Sequence, residues 1–481
     1  MKINYFDSHF QDHFIENTTS LYLESIESFR SSSEEVDHDS ILSLDFQQFF
    51  REAIQHPSLS KFSSCNWYWL GLITDLVYLI SLHDELEIGD GLELTPSEDE
   101  LFNFWHDSDY AKDFLVELNE SKNLEDTSLK FKNRIEDQIQ SYYYIHINGN
   151  KSAKLNYQII PEIGDGDNRV YSLLNLRYSD TSDIVGVTLK STLSDLEFKS
   201  PNVDAKDIFI HSSSKAIDKD LDKVKHDIQE ALQLIEKYSP KLKQVFYKFT
   251  KYIVPINEPG VVSYSMQSLP YFSSLNVYER DFTDLLDDLL HENGHHFMNF
   301  ILNSEELIYE DDEKIYFSPW RRALRPIRGI YHAYFTFYWA FKLFYDLNRS
   351  ISSSDFDKRI PKAKVLSRLL EEATMLHMIW EQIEIADSHG KITDFGMKLI
   401  MPIKNEVSLF MQNEYEQCQE QLQTINDEAH TKYLAFISEL KVQVTNAVGE
   451  VDILINNAGI EEYNYFQDYD LEYIEKITTV N

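Results

Sequence analysis

The sequence predicts an α+β protein, predominantly helical, in which a helical metal-binding core carries a small antiparallel sheet. Three observations predict it. Phe282, Leu285, Leu286, Leu289 and Phe297 recur at helical spacing, as do apolar residues in several later stretches. Short β-branched or aromatic runs cluster between about 138 and 212. The helical stretch at 280–303 also contains His291, Glu292 and His295, an H-E-x-x-H pattern that acquires geometric meaning only on a helix.

Composition narrows the classes. A chain of 481 residues, 43% hydrophobic and 14% aromatic, has apolar mass for a large core and length for two or three domains. Its 81 acidic against 44 basic residues give a net charge of −37, which argues against nucleic acid or an anionic membrane as partner. Basic or neutral substrates are favoured instead. Two cysteines, Cys65 and Cys418, exclude a disulfide scaffold and a thiolate-rich zinc site. The N-terminus "MKINYFDSHFQDHF" has no apolar signal core. The longest apolar stretches, "WYWLGLITDLVYLISLH" and "IYHAYFTFYWAFKLFY", carry Asp75 and Lys342 and fall short of the roughly 20 residues of a membrane span. They read as buried helices of a soluble, cytoplasmic protein.

Four regions follow in order. Residues 1–135 read as helical and acidic, with serine-rich breaks such as "SFRSSSEE". Residues 136–215 read as strands: "SYYYIHI", "KLNYQII", "RVYSLLNLRY" and "DIVGVTL", separated by turn residues in "NGN" and "GDGDN". Residues 216–435 form the core. A helix at 216–247 precedes two strands, "YIVPIN" and "GVVSYSM", and then comes the motif helix. Further helices are predicted at about 326–347 and 360–387, a break at "SHGKITDFG", and another helix to about 445. Residues 436–481 form a separate tail.

Residues four apart share one helical face, so His291 and His295 can direct two imidazoles at one ion. Glu292 can reach the metal or its water. His296 points elsewhere and reads as a polar partner. The extended zinc-protease pattern fails, because Met298 stands where glycine belongs and Ile301 where histidine belongs. A downstream glutamate is one candidate third ligand: Glu305, Glu306 and Glu310 lie in an acidic, loop-like stretch. His332 is the better one, since a lone histidine in the apolar helix "GIYHAYFTFYWAF" calls for a reason. Just before it, Arg321, Arg322, Arg325 and Arg328 crowd together in "SPWRRALRPIRGIYHA". An arginine fork grips a carboxylate at two points, so this cluster suits a carboxylate-bearing cosubstrate.

These segments together resemble the HExxH-motif family of peptide-modification proteins found beside ribosomally made peptide natural products. Some members are described as 2-oxoglutarate-dependent peptide β-hydroxylases. The resemblance covers roughly 240–405 and rests on a strand-rich lead-in, "LLHENGH", "SPWRRALRPIRGIYHAYF" and "SHGKITDFG", in that order. It implies an oxidoreductase in which His291, His295 and His332 hold iron(II). One arginine, Arg325 foremost with Arg322 and Arg328 beside it, would bind the distal carboxylate of 2-oxoglutarate. Glu292 would be a ligand or stand next to one, and the substrate would be a ribosomally made precursor peptide. The rival is a zinc metallopeptidase in which Glu292 takes the proton of metal-bound water; the H-E-x-x-H spacing supports it equally.

The tail differs. "GEVDILINNAGI" and "YIEKITTVN" resemble a fragment of a short-chain dehydrogenase/reductase. No glycine-rich dinucleotide turn precedes the fragment at the expected distance, and no Tyr-x-x-x-Lys follows it before Asn481. The expectation is a remnant that binds no NAD(P)H, and a reductase label drawn from it is judged non-functional.

Overall fold

In the computed structural model, residues 3–32, 42–88, 209–210, 221–256, 262–309, 313–350 and 359–448 are described, with parts of 129–148. The N-terminal region supplies α1 (Ser8–Ser32), α2 (Leu44–Ala53) and α3 (Ser64–Ile88). Then come β1 (Phe209–Ile210), α4 (Leu221–Tyr238), α5 (Pro240–Phe249), β2 (Tyr252–Ile256), β3 (Tyr264–Ser265) and β4 (Phe272–Asn276). The motif helix is α6 (Phe282–Leu302). A hairpin of β5 (Tyr316–Ser318) and β6 (Ala323–Arg325) leads into α7 (Ile327–Ser350). The chain continues through α8 (Lys362–Ser388), α9 (Asp394–Asn413), α10 (Tyr415–Ile425) and α11 (Asp427–Val448). The fold is α+β and predominantly helical, as its periodicity predicts. No described helix is long and apolar enough to cross a membrane.

The described sheet is mixed and runs β1-β2-β4-β3. β1 and β4 flank β2 in parallel, and only β3 pairs antiparallel, to β4. The two helices between β1 and β2 supply the long crossover that a parallel neighbour needs. Three of the strands predicted within 136–215, those from Lys154 to Leu189, lie outside the described residues. So does the dehydrogenase-like segment 449–481.

One expectation is corrected. In "SYYYIHI" the residues described, Tyr143 and Ile147, have helical backbone, not extended. Ile135, Ile139, Tyr143 and Ile147 are all buried. Their spacing of four is a helical stripe, and it outweighs the local alternation that suggested a strand. Tyr143 packs edge-on against Phe49, and Trp69 Nε1 donates to the Ile139 carbonyl.

α6 begins where the sequence can cap it. The Asp281 side chain accepts from the Thr283 and Asp284 amides, while the Asp284 side chain accepts from the Asp281 amide. This capping box satisfies helix-end donors that would otherwise be orphaned. Beyond its first turn α6 is buried almost all round, as a helix at the centre of a core must be. α7 packs along one side, and α8 packs on α7. The aromatic core between them joins Phe297 to Phe249 at 4.3 Å, and to Phe335 and Trp339 at 5.7 Å each. Tyr5 reaches into this cluster from the N-terminus, and its hydroxyl donates to the Leu399 carbonyl.

Candidate metal centre

The run His291–His296 places its six residues in different surroundings. Asn293 donates to the Phe246 carbonyl and to Thr250 Oγ1, fastening the end of α5. Gly294 lies against α7: a Cβ there would sit 2.5 Å from Trp339 Cδ1 and 3.2 Å from Thr336 Cα. Glycine thus permits the close approach that brings the histidines of α6 to His332 of α7. His296 is fully buried beside β4, with Nε2 3.2 Å from Ser273 Oγ. It is a polar partner, as expected.

The other three side chains converge. His295 Nε2 lies 3.0 Å from His291 Nε2, and His295 Nδ1 lies 2.6 Å from His332 Nε2. The ring centres of His295 and His332 are 4.7 Å apart. A neutral imidazole has one donor and one acceptor nitrogen, so His295 can bridge both neighbours. Glu292 is 1% exposed and accepts from Ser265 Oγ of β3 at 2.8 Å. Among the described residues, His291, Glu292 and His295 form a group whose donor atoms, one from each, lie within 4.8 Å of one another. Ligands about 2.0–2.1 Å from a tetrahedral ion sit roughly 3.3 Å apart, so this donor set fits a transition metal. His332 stands at the opposite edge of the His295 ring.

Electrostatics favour the same use. Burial pushes His291 down to about 3, and the neighbouring His332 and Arg321 add to the effect. Burial drives His295 well below the usual imidazole range, assisted by His291, His332, His296 and Arg321. Both rings are therefore neutral near pH 7, the state that binds metal.

The histidines open into a cleft of about 1010 Å³. One wall is the β5–β6 hairpin and the start of α7, bearing Arg321, Arg322, Arg325 and Arg328. These arginines are not equivalent. Arg322 has a left-handed backbone, φ +51°, at the hairpin turn and pairs with Glu439 of α11 at 2.9 Å. Arg325 folds back over Gly329, where a Cβ would come within 2.9 Å of its Nε. Arg328 is exposed at the start of α7. Arg321, beside the turn, is the member whose charge acts on His291 and His295. The family resemblance singled out Arg325. The hairpin reverses the chain between Ser318 and Ala323, and that reversal brings Arg321 toward the histidines. Glu305 and Glu306 line the cleft but are not in the compact donor group, and Glu310 lies outside the described residues.

A second set of charges on the same cleft had no expectation attached. Arg368 of α8 pairs with Asp287 and lies 3.8 Å from Asp284 and 3.6 Å from Glu371. Asp288 accepts from Ser263 Oγ at 2.7 Å, and burial raises its carboxyl to about 6. Glu372 is 2% exposed and accepts from Trp320 Nε1 at 3.1 Å. The available signal was "SRLLEEATMLHMIW", two adjacent acids inside an apolar helix.

His296 supplies a test of burial. Its pKa is pushed down to about 3 by desolvation, against about 6.5 when unfolded. Between those values the unfolded chain binds a proton that the folded chain does not, so stability falls as pH drops from 6.5 toward 3. The cost of this residue grows by about 1.4 kcal/mol per pH unit. His296→Gln removes it. The stability advantage of the wild type over this variant, read from urea melts, should therefore shrink between about pH 7 and about pH 5. A difference independent of pH would show that the ring is not held neutral.

No protein-family model matches the chain, and no curated protein is detectably similar to it.

Proposed function

We propose that the chain is an iron(II)- and 2-oxoglutarate-dependent oxygenase that hydroxylates a side chain of a ribosomally made peptide. The observation that carries this reading is the meeting of His291, His295 and His332 in a cleft where Arg321 acts on the same rings. His291 and His295 would hold the metal with the Glu292 carboxylate, and His332, at the far nitrogen of His295, would orient that ring. Bound iron(II) would supply the open positions that an oxo-acid and dioxygen need. Burial keeps the imidazoles unprotonated and ready to coordinate. Arg321 would attract the anionic cosubstrate and grip its far carboxylate, with Arg325, Arg322 and Arg328 extending the cationic wall. The cleft, about 1010 Å³, is of a size that can take a peptide side chain, and Met298, Leu302 and Phe337 give it an apolar side.

The test is anaerobic titration of the iron-loaded chain with 2-oxoglutarate, following the visible band of an iron-bound oxo-acid. Arg321→Ala should weaken binding by about tenfold to a hundredfold, the loss of one charge-assisted contact, at unchanged iron content. The absence of a band in the wild-type chain would reject the oxygenase.

One observation favours a zinc peptidase as the second reading. The Glu292 carboxylate lies within the donor group, held by Ser265, where a base for metal-bound water belongs. Peptide cleavage by the zinc-loaded chain, lost in Glu292→Gln, would establish that reading in place of the first.

A further inference from the structure

The buried carboxyl of Glu372 has no part in the chemistry above. It lies on α8, 2% exposed, at the back of the cleft. Burial, with Asp287 nearby, raises its pKa well above the usual carboxylate range. Arg368 is the nearby cation, and it is already engaged by Asp287, Asp284 and Glu371. A neutral carboxyl here still makes one directed contact, accepting from Trp320 Nε1 at 3.1 Å.

Trp320 is where that contact matters. It sits in the turn between β5 and β6, immediately before Arg321. Its ring lies flat on Phe337, with centroids 4.2 Å apart and planes 5° from parallel. Phe337 in turn lies 4.0 Å from the His291 ring. A single hydrogen bond thus fixes the ring at one end of a stack whose other end is a candidate metal ligand. The strand beside it is pinned separately. The Gln382 side chain accepts from the Phe317 amide at 2.6 Å and donates to the Phe317 carbonyl at 2.9 Å. With the strand fixed by Gln382 and the turn fixed by Glu372, α8 sets the position of the hairpin over the histidines.

We propose that Glu372 is a positioning residue, which through Trp320 holds the hairpin turn and Arg321 in register with the His291–His295–His332 cluster. It acts on other residues and touches neither metal nor substrate. This role rests on the site reading above only in its choice of ligand for the assay.

The experiment compares wild type, Glu372→Gln, Glu372→Ala and Trp320→Phe in the full-length chain. Each is labelled with 5-fluorotryptophan and observed by ¹⁹F NMR, and the Trp320 line is identified by its loss in Trp320→Phe. Glutamine is isosteric with the neutral acid and keeps an acceptor for the indole; alanine keeps none. The Trp320 line should shift or broaden in Glu372→Ala and stay at its wild-type position in Glu372→Gln. Metal content should be unchanged in both. Affinity for 2-oxoglutarate, measured by calorimetry on the iron-loaded chain, should fall about tenfold in Glu372→Ala and recover in Glu372→Gln, the lower range for residues that orient a metal site's partners.

A Trp320 line that does not move in Glu372→Ala overturns the proposal, as does a Glu372→Gln variant as perturbed as alanine. Should Glu372→Ala fail to fold, Glu372→Gln and Trp320→Phe still decide: a silent Glu372→Gln with reduced affinity in Trp320→Phe supports positioning, and unchanged affinity in Trp320→Phe refutes it. If wild type itself binds no 2-oxoglutarate, the oxygenase reading fails, and the ¹⁹F comparison alone decides the role of Glu372.

Discussion

Replacing His295 with alanine is expected to strip the chain of stoichiometric metal, while replacing its neighbour His296 is expected to leave the metal in place. His295 stands between the other two rings of the site, with one nitrogen toward His291 and the other toward His332. Its loss removes a ligand and the contact that aligns the remaining two. Partners that merely orient a ligand cost about 10- to 100-fold in metal affinity when removed, so loss of His295 itself should exceed that. His296 faces β4 and Ser273 instead. Its removal should lower stability by roughly 2–3 kcal/mol, from a cavity and a lost hydrogen bond, without releasing metal. Elemental analysis after anaerobic loading and gel filtration reads the first effect, and urea denaturation reads the second. Full metal occupancy in His295→Ala would show that the histidines are a buried hydrogen-bonded chain and not a metal centre. The same measurement on His332→Ala separates two roles: a ligand would match His295→Ala, whereas an orienting partner of His295 Nδ1 would lose only the smaller factor.

The core of this site was legible because its signals are local. His291 and His295 are one helical turn apart, and the helix carrying them announces itself by apolar spacing and an acidic cap. His332 was legible because an apolar helix rarely carries a lone histidine without a use for it. The arginines were read less well. Strands β5 and β6 have three residues each, too short to show a period, so nothing local marks the turn that sets Arg321 on the cleft wall and ties Arg322 to Glu439. The carboxyl network was legible only as two adjacent acids, Glu371 and Glu372, inside an apolar helix. Asp287 and Arg368 are 81 residues apart and meet only because α6 and α8 both line the cleft. The helical stripe at Ile135, Ile139, Tyr143 and Ile147 illustrates the opposite error, in which short alternation was given weight over a longer period.

The end of the core is a sharper matter, because it bears on where the tail can be cut. The sequence places the dehydrogenase-like region at 436–481, yet α11 runs unbroken from Asp427 to Val448. Leu440 of α11 is 3% exposed and packs with Phe317 of β5 and Met375 of α8. Phe436 joins that cluster and also lines the cleft. Two truncations that differ by part of one helix should therefore behave very differently. Ending the chain after Ala435 removes Phe436, Leu440 and Val444 together. Full burial of a side chain such as Leu440 stabilises by about 1.5–3 kcal/mol and the half-buried Phe436 and Val444 each add less, so their joint loss is on the order of 4 kcal/mol. That is a large share of the roughly 5–15 kcal/mol by which a domain is stable. Loss of the Arg322–Glu439 pair adds little, since both partners are about half exposed and such pairs contribute roughly 0–1 kcal/mol. The cost therefore lies in apolar packing under the hairpin, and metal retention should fall with it as the wall bearing Arg321 loosens. Ending the chain after Val448 keeps every one of these contacts. It should leave the melting temperature, metal content and 2-oxoglutarate affinity at full-length values, with no NAD(P)H binding in either chain. A shortened chain ending at Val448 that loses its metal, or a full-length chain that binds NAD(P)H, would assign segment 449–481 a part in the protein's activity.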